Sequence, residues 1–182
     1  MRKWNAVLSM GILVLFLIHA IAGAFQLSGV IPGGSTIMQK LACAMVCLIF
    51  IHFAVGIKLT VDTLTAIKKS GTSYFKENKI FWVRRISGFA VMLFVIFHII
   101  IFLGTNNGAY RLNLFEGMQL ASQLFLVLSV AVHVVTNIKP LMISLGAKSY
   151  KVFLTDIILI LSVLLMFTGI AFIIYYLRWN VF

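Results

Sequence analysis

The four histidines of this chain lie inside long apolar stretches, and each lies in a different stretch. They are His19, His52, His98 and His133. An ionisable side chain is costly to bury in hydrocarbon, so a histidine found there calls for a partner or a function. Imidazole can ligate a metal or a haem iron, relay protons, or hydrogen-bond a neighbouring helix. The depths of the four histidines discriminate between these roles.

Two of the histidines lie close to one end of their apolar stretches. His52 is six residues before Lys58, and His133 is six residues before Lys139. At the rise of an α-helix, both lie about 9 Å from the boundary that these lysines mark. The two side chains are therefore expected at one level, on two different helices.

The other two histidines lie deeper. His19 follows Lys3 by sixteen residues, and His98 follows Arg85 by thirteen. This spacing places both very roughly 20 to 24 Å from the same boundary. Counting residues from the basic boundary in this way, which we call the depth count, therefore predicts a second pair, formed by His19 and His98.

A haem iron with two histidine ligands takes one imidazole from each side of the porphyrin plane. Two histidines at one depth on different helices meet this requirement. The sequence thus predicts two b-type haems, with iron ligands His19 and His98 in one and His52 and His133 in the other. Their levels differ by roughly 10 to 15 Å, which would let an electron pass between them in short hops. No catalytic residue is predicted.

Several neighbouring residues are candidates for contact with a macrocycle. Gly23 follows His19 by four residues and Gly56 follows His52 by four, so each leaves a patch without a side chain on its histidine's face. Aromatic side chains around His98 could form a wall, namely Phe94, Phe97 and Phe102. Basic residues at heights suited to propionates are Lys58, Arg84, Arg85 and Lys139 at one level, and Lys40 and Arg111 at the other.

Two other roles for the histidines remain open. A zinc site normally has four ligands, whereas each level offers one pair and no carboxylate or thiol. A proton relay usually includes acidic residues, and here all four lie at or beyond the ends of the apolar stretches: Asp62, Glu77, Glu116 and Asp156.

The elements that position the histidines are five apolar stretches of membrane-spanning length. The chain of 182 residues is 62% hydrophobic and only 10% charged, which excludes a soluble globular domain. The composition predicts an all-α integral membrane bundle of five transmembrane helices in a single domain, 1–182. The expected spans are 6–27, 38–59, 86–104, 117–138 and 155–177.

The basic residues are distributed unequally between the two sides of the predicted bundle. Only Lys40, Arg111 and Arg178 lie on one side. By the positive-inside rule, the N-terminus is expected in the cytoplasm and the C-terminus outside, in the cytoplasmic membrane of a prokaryote. Because topology explains the net charge of +11, no nucleic-acid partner is expected. The other twelve basic residues lie on the side expected to be cytoplasmic, and they are Arg2, Lys3, Lys58, Lys68, Lys69, Lys76, Lys79, Arg84, Arg85, Lys139, Lys148 and Lys151.

The ends of the spans carry their own signals. Residues 58–69 lack Gly and Pro and predict an extension of span 2, which Ser70 and Gly71 then end. Pro140 predicts the end of span 4, followed by a short interfacial helix. The first span resembles a signal peptide, but cleavage would remove His19. Cys43 and Cys47 share one face of span 2, and packing is their expected role.

The complete pattern resembles the five-helix dihaem cytochrome b subunits of succinate:quinone oxidoreductases and fumarate reductases. The likeness covers the whole chain. Its most specific part is Arg85-Ile86-Ser87-Gly88 followed by His98, which resembles the entry to a haem-bearing helix in that family. The family pairs its first helix with the third and its second with the fourth, as the depth count does here.

The resemblance implies an electron-transfer subunit that does not itself act on the dicarboxylate. It implies two haem b groups, iron-sulfur and flavoprotein subunits at the cytoplasmic face, membrane lipid, and a quinone, often menaquinone. The chain departs from the family in being short and in lacking a carboxylate within the outer half of a span, which leaves the quinone site unassigned. A cytochrome b of a hydrogenase, a formate dehydrogenase or the b561 group is an alternative. A haem-free scaffold, assembly factor or small transporter is another.

Overall fold

The structure, a computed structural model, describes residues 2–71, 78–103, 105–106, 109–110, 115–147 and 150–181. Five helices account for almost all of this part of the chain. All five are long and apolar enough to cross a membrane, which confirms the predicted all-α transmembrane fold. They are α1 (Arg2–Leu27), α2 (Thr36–Ser70), α3 (Lys79–Phe102), α4 (Gly117–Ser144) and α5 (Tyr150–Val181).

Helix α2 is the longest, with 35 residues. At its start, the Ser35 side chain accepts a hydrogen bond from the Met38 backbone N–H, which caps the first turn. The helix continues to Ser70 and ends at Gly71, whose φ of 67° is the left-handed conformation that glycine adopts at helix C-termini. The predicted extension of span 2 through residues 58–69 is therefore confirmed.

Helix α4 does not end at Pro140 as expected from the sequence, and the short helix predicted after it is the last turn of α4. A proline inside a helix leaves the carbonyl four residues earlier without its N–H donor. Here that carbonyl belongs to Thr136, and Nε of Arg84 on α3 donates to it at 2.9 Å. The helix continues because a neighbouring helix supplies the missing hydrogen bond.

The helices pack as two hairpins, which are joined by α5 and by a smaller contact between α1 and α4. Helix α1 packs along α2, α3 packs along α4, and α5 lies against both α1 and α4. Among the described residues, α2 packs extensively only against α1. A space is therefore left between the α1–α2 hairpin and the α3–α4 hairpin, closed on one side by α5.

We name the two ends of the bundle by their charges. The basic end is where α1 and α3 begin and α2 and α4 end, and it carries Lys3, Lys58, Arg84 and Lys139. At the opposite end Phe115 and Phe172 form a buried cluster, and Arg178 Nη1 donates to the Ser28 carbonyl at 2.9 Å.

Part of the predicted charge and turn pattern lies outside the described residues. This applies to Lys76, Glu77, Arg111, Lys148, and the Asn107-Gly108 centre of the turn between spans 3 and 4. On either side of that centre, Thr105–Asn106 pairs antiparallel with Ala109–Tyr110.

Candidate functional site

The space between the hairpins forms one continuous cavity of about 1620 Å³. Its volume exceeds the roughly 300 to 1,000 Å³ of a pocket for a single drug-sized ligand. Residues from all five helices line it, and all four histidines are among them. The cavity therefore has room for a large ligand at each histidine level.

The structure brings the histidines together in the pairs that the depth count predicts. The ring centres of His19 and His98 are 5.9 Å apart, with an angle of 79° between the ring planes. Those of His52 and His133 are 6.4 Å apart, at 84°. Each pair joins one residue of the α1–α2 hairpin to one of the α3–α4 hairpin across the cavity.

These separations suit two imidazoles that bind one metal from opposite sides. A bond from an imidazole nitrogen to a metal is about 2.0 to 2.1 Å, so two rings in line across the metal have centres roughly 6.3 Å apart. The observed 5.9 and 6.4 Å lie on either side of this value. They are too long for a direct hydrogen bond between in-line ring nitrogens and too short to admit a further side chain.

Hydrogen bonds fix the tautomer of His98. Its Nδ1 lies 2.7 Å from Oε1 of Gln123, which can only accept a hydrogen bond. The Gln123 amide is itself oriented, because its Nε2 donates to Oγ of Ser122 at 3.0 Å. Nδ1 of His98 therefore carries the hydrogen, and Nε2 keeps its lone pair.

The contacts of the pair at the basic end are consistent with the same tautomer. Nδ1 of His133 is 3.2 Å from Oγ of Ser87, and Nδ1 of His52 is 3.4 Å from Oγ of Ser9. Each serine already donates its hydroxyl hydrogen to a carbonyl of its own helix, Arg84 at 3.2 Å and Asn5 at 2.8 Å. A hydroxyl has one hydrogen, so while that hydrogen is donated to the carbonyl, the oxygen accepts the Nδ1–H of the histidine.

Metal-bound histidines usually donate their second ring N–H to an oxygen acceptor, which holds the ring in the ligating tautomer. Three of the four histidines have this arrangement. The ring of His19 has no hydrogen-bond partner among the described residues. The donor set thus fits two metal centres with imidazole ligands on each side.

Contacts along two helices give the separation between the two levels. On α4, His133 is ten residues from Gln123, which contacts His98. On α1, Ser9 contacts His52 and is ten residues from His19. Ten residues of α-helix span about 15 Å, at the upper limit of the predicted separation.

Glycines leave space beside the histidines. A Cβ at Gly23 or at Gly56 would meet no atom within 4 Å, and both residues line the cavity. Gly88 has a different role, since a Cβ there would lie 3.2 Å from Cε1 of His133. Gly88 therefore lets the His133 ring approach α3, whereas Gly23 and Gly56 widen the cavity.

The structure separates the other predicted contact residues into two groups. Phe102 lines the cavity, with its ring centre 4.9 Å from that of His98. Phe94 stacks on Phe125 instead, and Phe97 is 43% exposed on the outer surface. Helical geometry explains this, because Phe102 lies four residues after His98 and shares its face, whereas Phe97 lies one residue before it.

The basic residues divide in the same way. Arg84 and Arg85 line the cavity, and the guanidinium of Arg85 lies 4.8 Å from the centre of the Phe81 ring. Three lysines do not line it, namely Lys58, Lys139 and Lys40. Arg111, the remaining candidate, lies outside the described residues.

Sequence reasoning missed Gln123 and Ser9, although the depth count would have found both. Gln123 is sixteen residues before Lys139, at the level of His98, and Ser9 is six after Lys3, at the level of His52. Polar residues at the depth of a buried histidine are thus a usable signal. Ser87 was noted in the resemblance, without its contact to His133.

The described cysteines and acidic residues do not add a third ligand to either histidine pair. Cys43 and Cys47 are free thiols. In the part of the chain that the structure describes, no three His, Cys, Asp or Glu side chains group so that they could hold a metal ion. Each histidine pair therefore offers two protein ligands, which suits a metal whose remaining ligands come from a macrocycle.

Comparison with known proteins gave no match to a family model, a curated protein or a solved structure.

Proposed function

We propose that this chain is a dihaem cytochrome b membrane anchor, which passes electrons between a soluble flavoprotein and iron-sulfur assembly and a quinone in the membrane. The assembly would be of the succinate dehydrogenase or fumarate reductase type. The two histidine pairs, with ring centres 5.9 and 6.4 Å apart in one cavity, carry the proposal.

The protein residues would hold and orient the two groups. His19 and His98 would ligate one iron through Nε2, and His52 and His133 the other. Gly23 and Gly56 leave open space for a flat ring. Haem b supplies a reversible one-electron couple at iron, which the protein tunes through its ligands and their hydrogen bonds.

Charge supports the proposed orientation and the side on which the soluble partner binds. Arg84 and Arg85 line the cavity at the basic end, where their guanidinium groups suit carboxylates such as propionates. The positive-inside rule would place this end in the cytoplasm of a prokaryotic cell. The iron-sulfur subunit would then dock at the basic end, near His52 and His133.

A reduced-minus-oxidised absorption spectrum tests the haem proposal. The protein purified from haem-replete cells is expected to show the α band of a b-type cytochrome, with two haems per chain. A haem-free scaffold or transporter would show no such band, and that result would exclude the proposed function. Copurification with flavoprotein and iron-sulfur subunits would distinguish the proposed complex from a hydrogenase or formate dehydrogenase.

Single histidine variants test the pairing. His19→Ala and His98→Ala should each remove the same haem, because either change leaves an iron with one protein ligand. His52→Ala and His133→Ala should each remove the other. If His19→Ala and His98→Ala removed different haems, the pairing would be wrong.

A further inference from the structure

Gln123 is a fully buried polar residue of α4, with 0% of its surface exposed. It begins a directional chain of hydrogen bonds. Its Oε1 accepts from Nδ1 of His98 at 2.7 Å, and its Nε2 donates to Oγ of Ser122 at 3.0 Å. Ser122 in turn donates to the Gln119 carbonyl at 2.7 Å. Successive bonds of this kind polarise one another in a low-dielectric interior, so the contact to His98 is strengthened.

The contact between Gln123 and His98 is the shortest that any of the four histidine rings makes among the described residues. The corresponding distances are 3.2 Å for His133 and 3.4 Å for His52, each to a serine hydroxyl. No described residue hydrogen-bonds the ring of His19. The two levels therefore differ: one has a single short bond to an amide, and the other has two longer bonds to hydroxyls.

We propose that Gln123 is a positioning residue that lowers the reduction potential of the iron held by His19 and His98; this inference rests on the proposed function. An oxygen that accepts the Nδ1–H of an imidazole increases the electron donation from Nε2 to the metal. Stronger donation stabilises the oxidised iron and so lowers the potential. Gln123 also prevents His98 from adopting the tautomer that cannot ligate through Nε2.

The effect should be confined to one level. Gln123 lies about 15 Å along α4 from His133, and described residues other than Gln123 provide the polar contacts of the basic-end pair. Removing the Gln123 acceptor should therefore raise one midpoint potential and leave the other in place. A general weakening of helix packing would instead shift both midpoint potentials.

A redox titration of the purified holoprotein, followed through the α band, tests the proposal. Gln123→Leu keeps a similar volume and removes the acceptor, so one midpoint potential should rise. Gln123→Glu keeps an oxygen acceptor in either protonation state, so that potential should stay at or below its value in the unaltered protein. Ser87→Ala is the matched control and should shift only the other potential, through His133.

Each outcome decides the proposal. Unchanged potentials in Gln123→Leu, with both haems present, would overturn the role of Gln123 and leave the proposed function standing. If Gln123→Leu lost one haem, retention in Gln123→Glu would support the proposal, and loss in both variants would overturn it. An unaltered protein without a cytochrome α band would instead refute the proposed function itself.

Discussion

Replacing Gly56 with alanine should have opposite effects on the stability of the haem-free protein and on its affinity for haem. A Cβ at this position would meet no atom within 4 Å, so alanine fits the bundle as it stands. Alanine also restricts the unfolded chain more than glycine does, which favours the helix by about 0.5 to 1 kcal/mol. Gly56→Ala should therefore leave the haem-free protein equally stable or slightly more stable.

Haem bound beside His52 would occupy the space that the new methyl group needs. Inserting an extra group into a filled space typically costs about 1 to 3 kcal/mol. Since the haem-free protein does not bear this cost, it falls on haem affinity, which should drop about 5- to 150-fold. Gly23→Ala should do the same to the haem beside His19.

The measurement is the rate of haem loss from the purified protein to excess apomyoglobin, with thermal unfolding of the haem-free protein in parallel. Gly56→Leu should lose one haem faster than Gly56→Ala does. Ala54→Leu is the control, because Ala54 is an exposed residue of α2 outside the cavity lining. If Gly56→Leu kept both haems as long as the control, the inference that a macrocycle lies against Gly56 would be refuted.

Two further predictions concern the basic end of the cavity. Arg84→Ala should destabilise the haem-free protein by about 1 to 3 kcal/mol, because it leaves the Thr136 carbonyl without a donor. The loss should be smaller in a Pro140→Ala background, where the helix supplies its own N–H; a double-mutant cycle by thermal unfolding checks this, and equal losses would contradict it. Gly88→Ala should move the His133 ring by a few tenths of an ångström, because the new Cβ would lie 3.2 Å from Cε1. The electron paramagnetic resonance signal of one haem should then change while the other stays fixed, and two unchanged signals would count against ligation by His133.

The five spans and the two histidine pairs could be predicted from the sequence because both depend on distance along a helix. Hydrophobic runs of membrane length fix the spans, and a constant rise per residue converts sequence spacing into depth. His52 and His133 are both six residues from a lysine, and the structure places their rings together. The same arithmetic reaches Gln123 and Ser9 once polar residues other than histidine are counted.

The end of α4 and the residues that contact the cavity depended on neighbouring helices, which spacing does not describe. Pro140 breaks a hydrogen bond within its own helix, and only the position of Arg84 on α3 shows that another donor replaces it. Depth likewise does not specify the direction in which a side chain points. Lys58 and Lys139 have suitable heights but do not line the cavity, whereas Arg84 and Arg85 do.

For the four histidines, then, the sequence alone determined the level of each and the helix that carries it, because both follow from the regular geometry of a single helix. The tertiary structure decided which ring nitrogen of three of them is held by a neighbouring helix. That choice depends on Gln123, Ser87 and Ser9, whose oxygens come from other helices and hold Nδ1 of His98, His133 and His52. The separations of 5.9 and 6.4 Å likewise arise from how the two hairpins pack across the cavity.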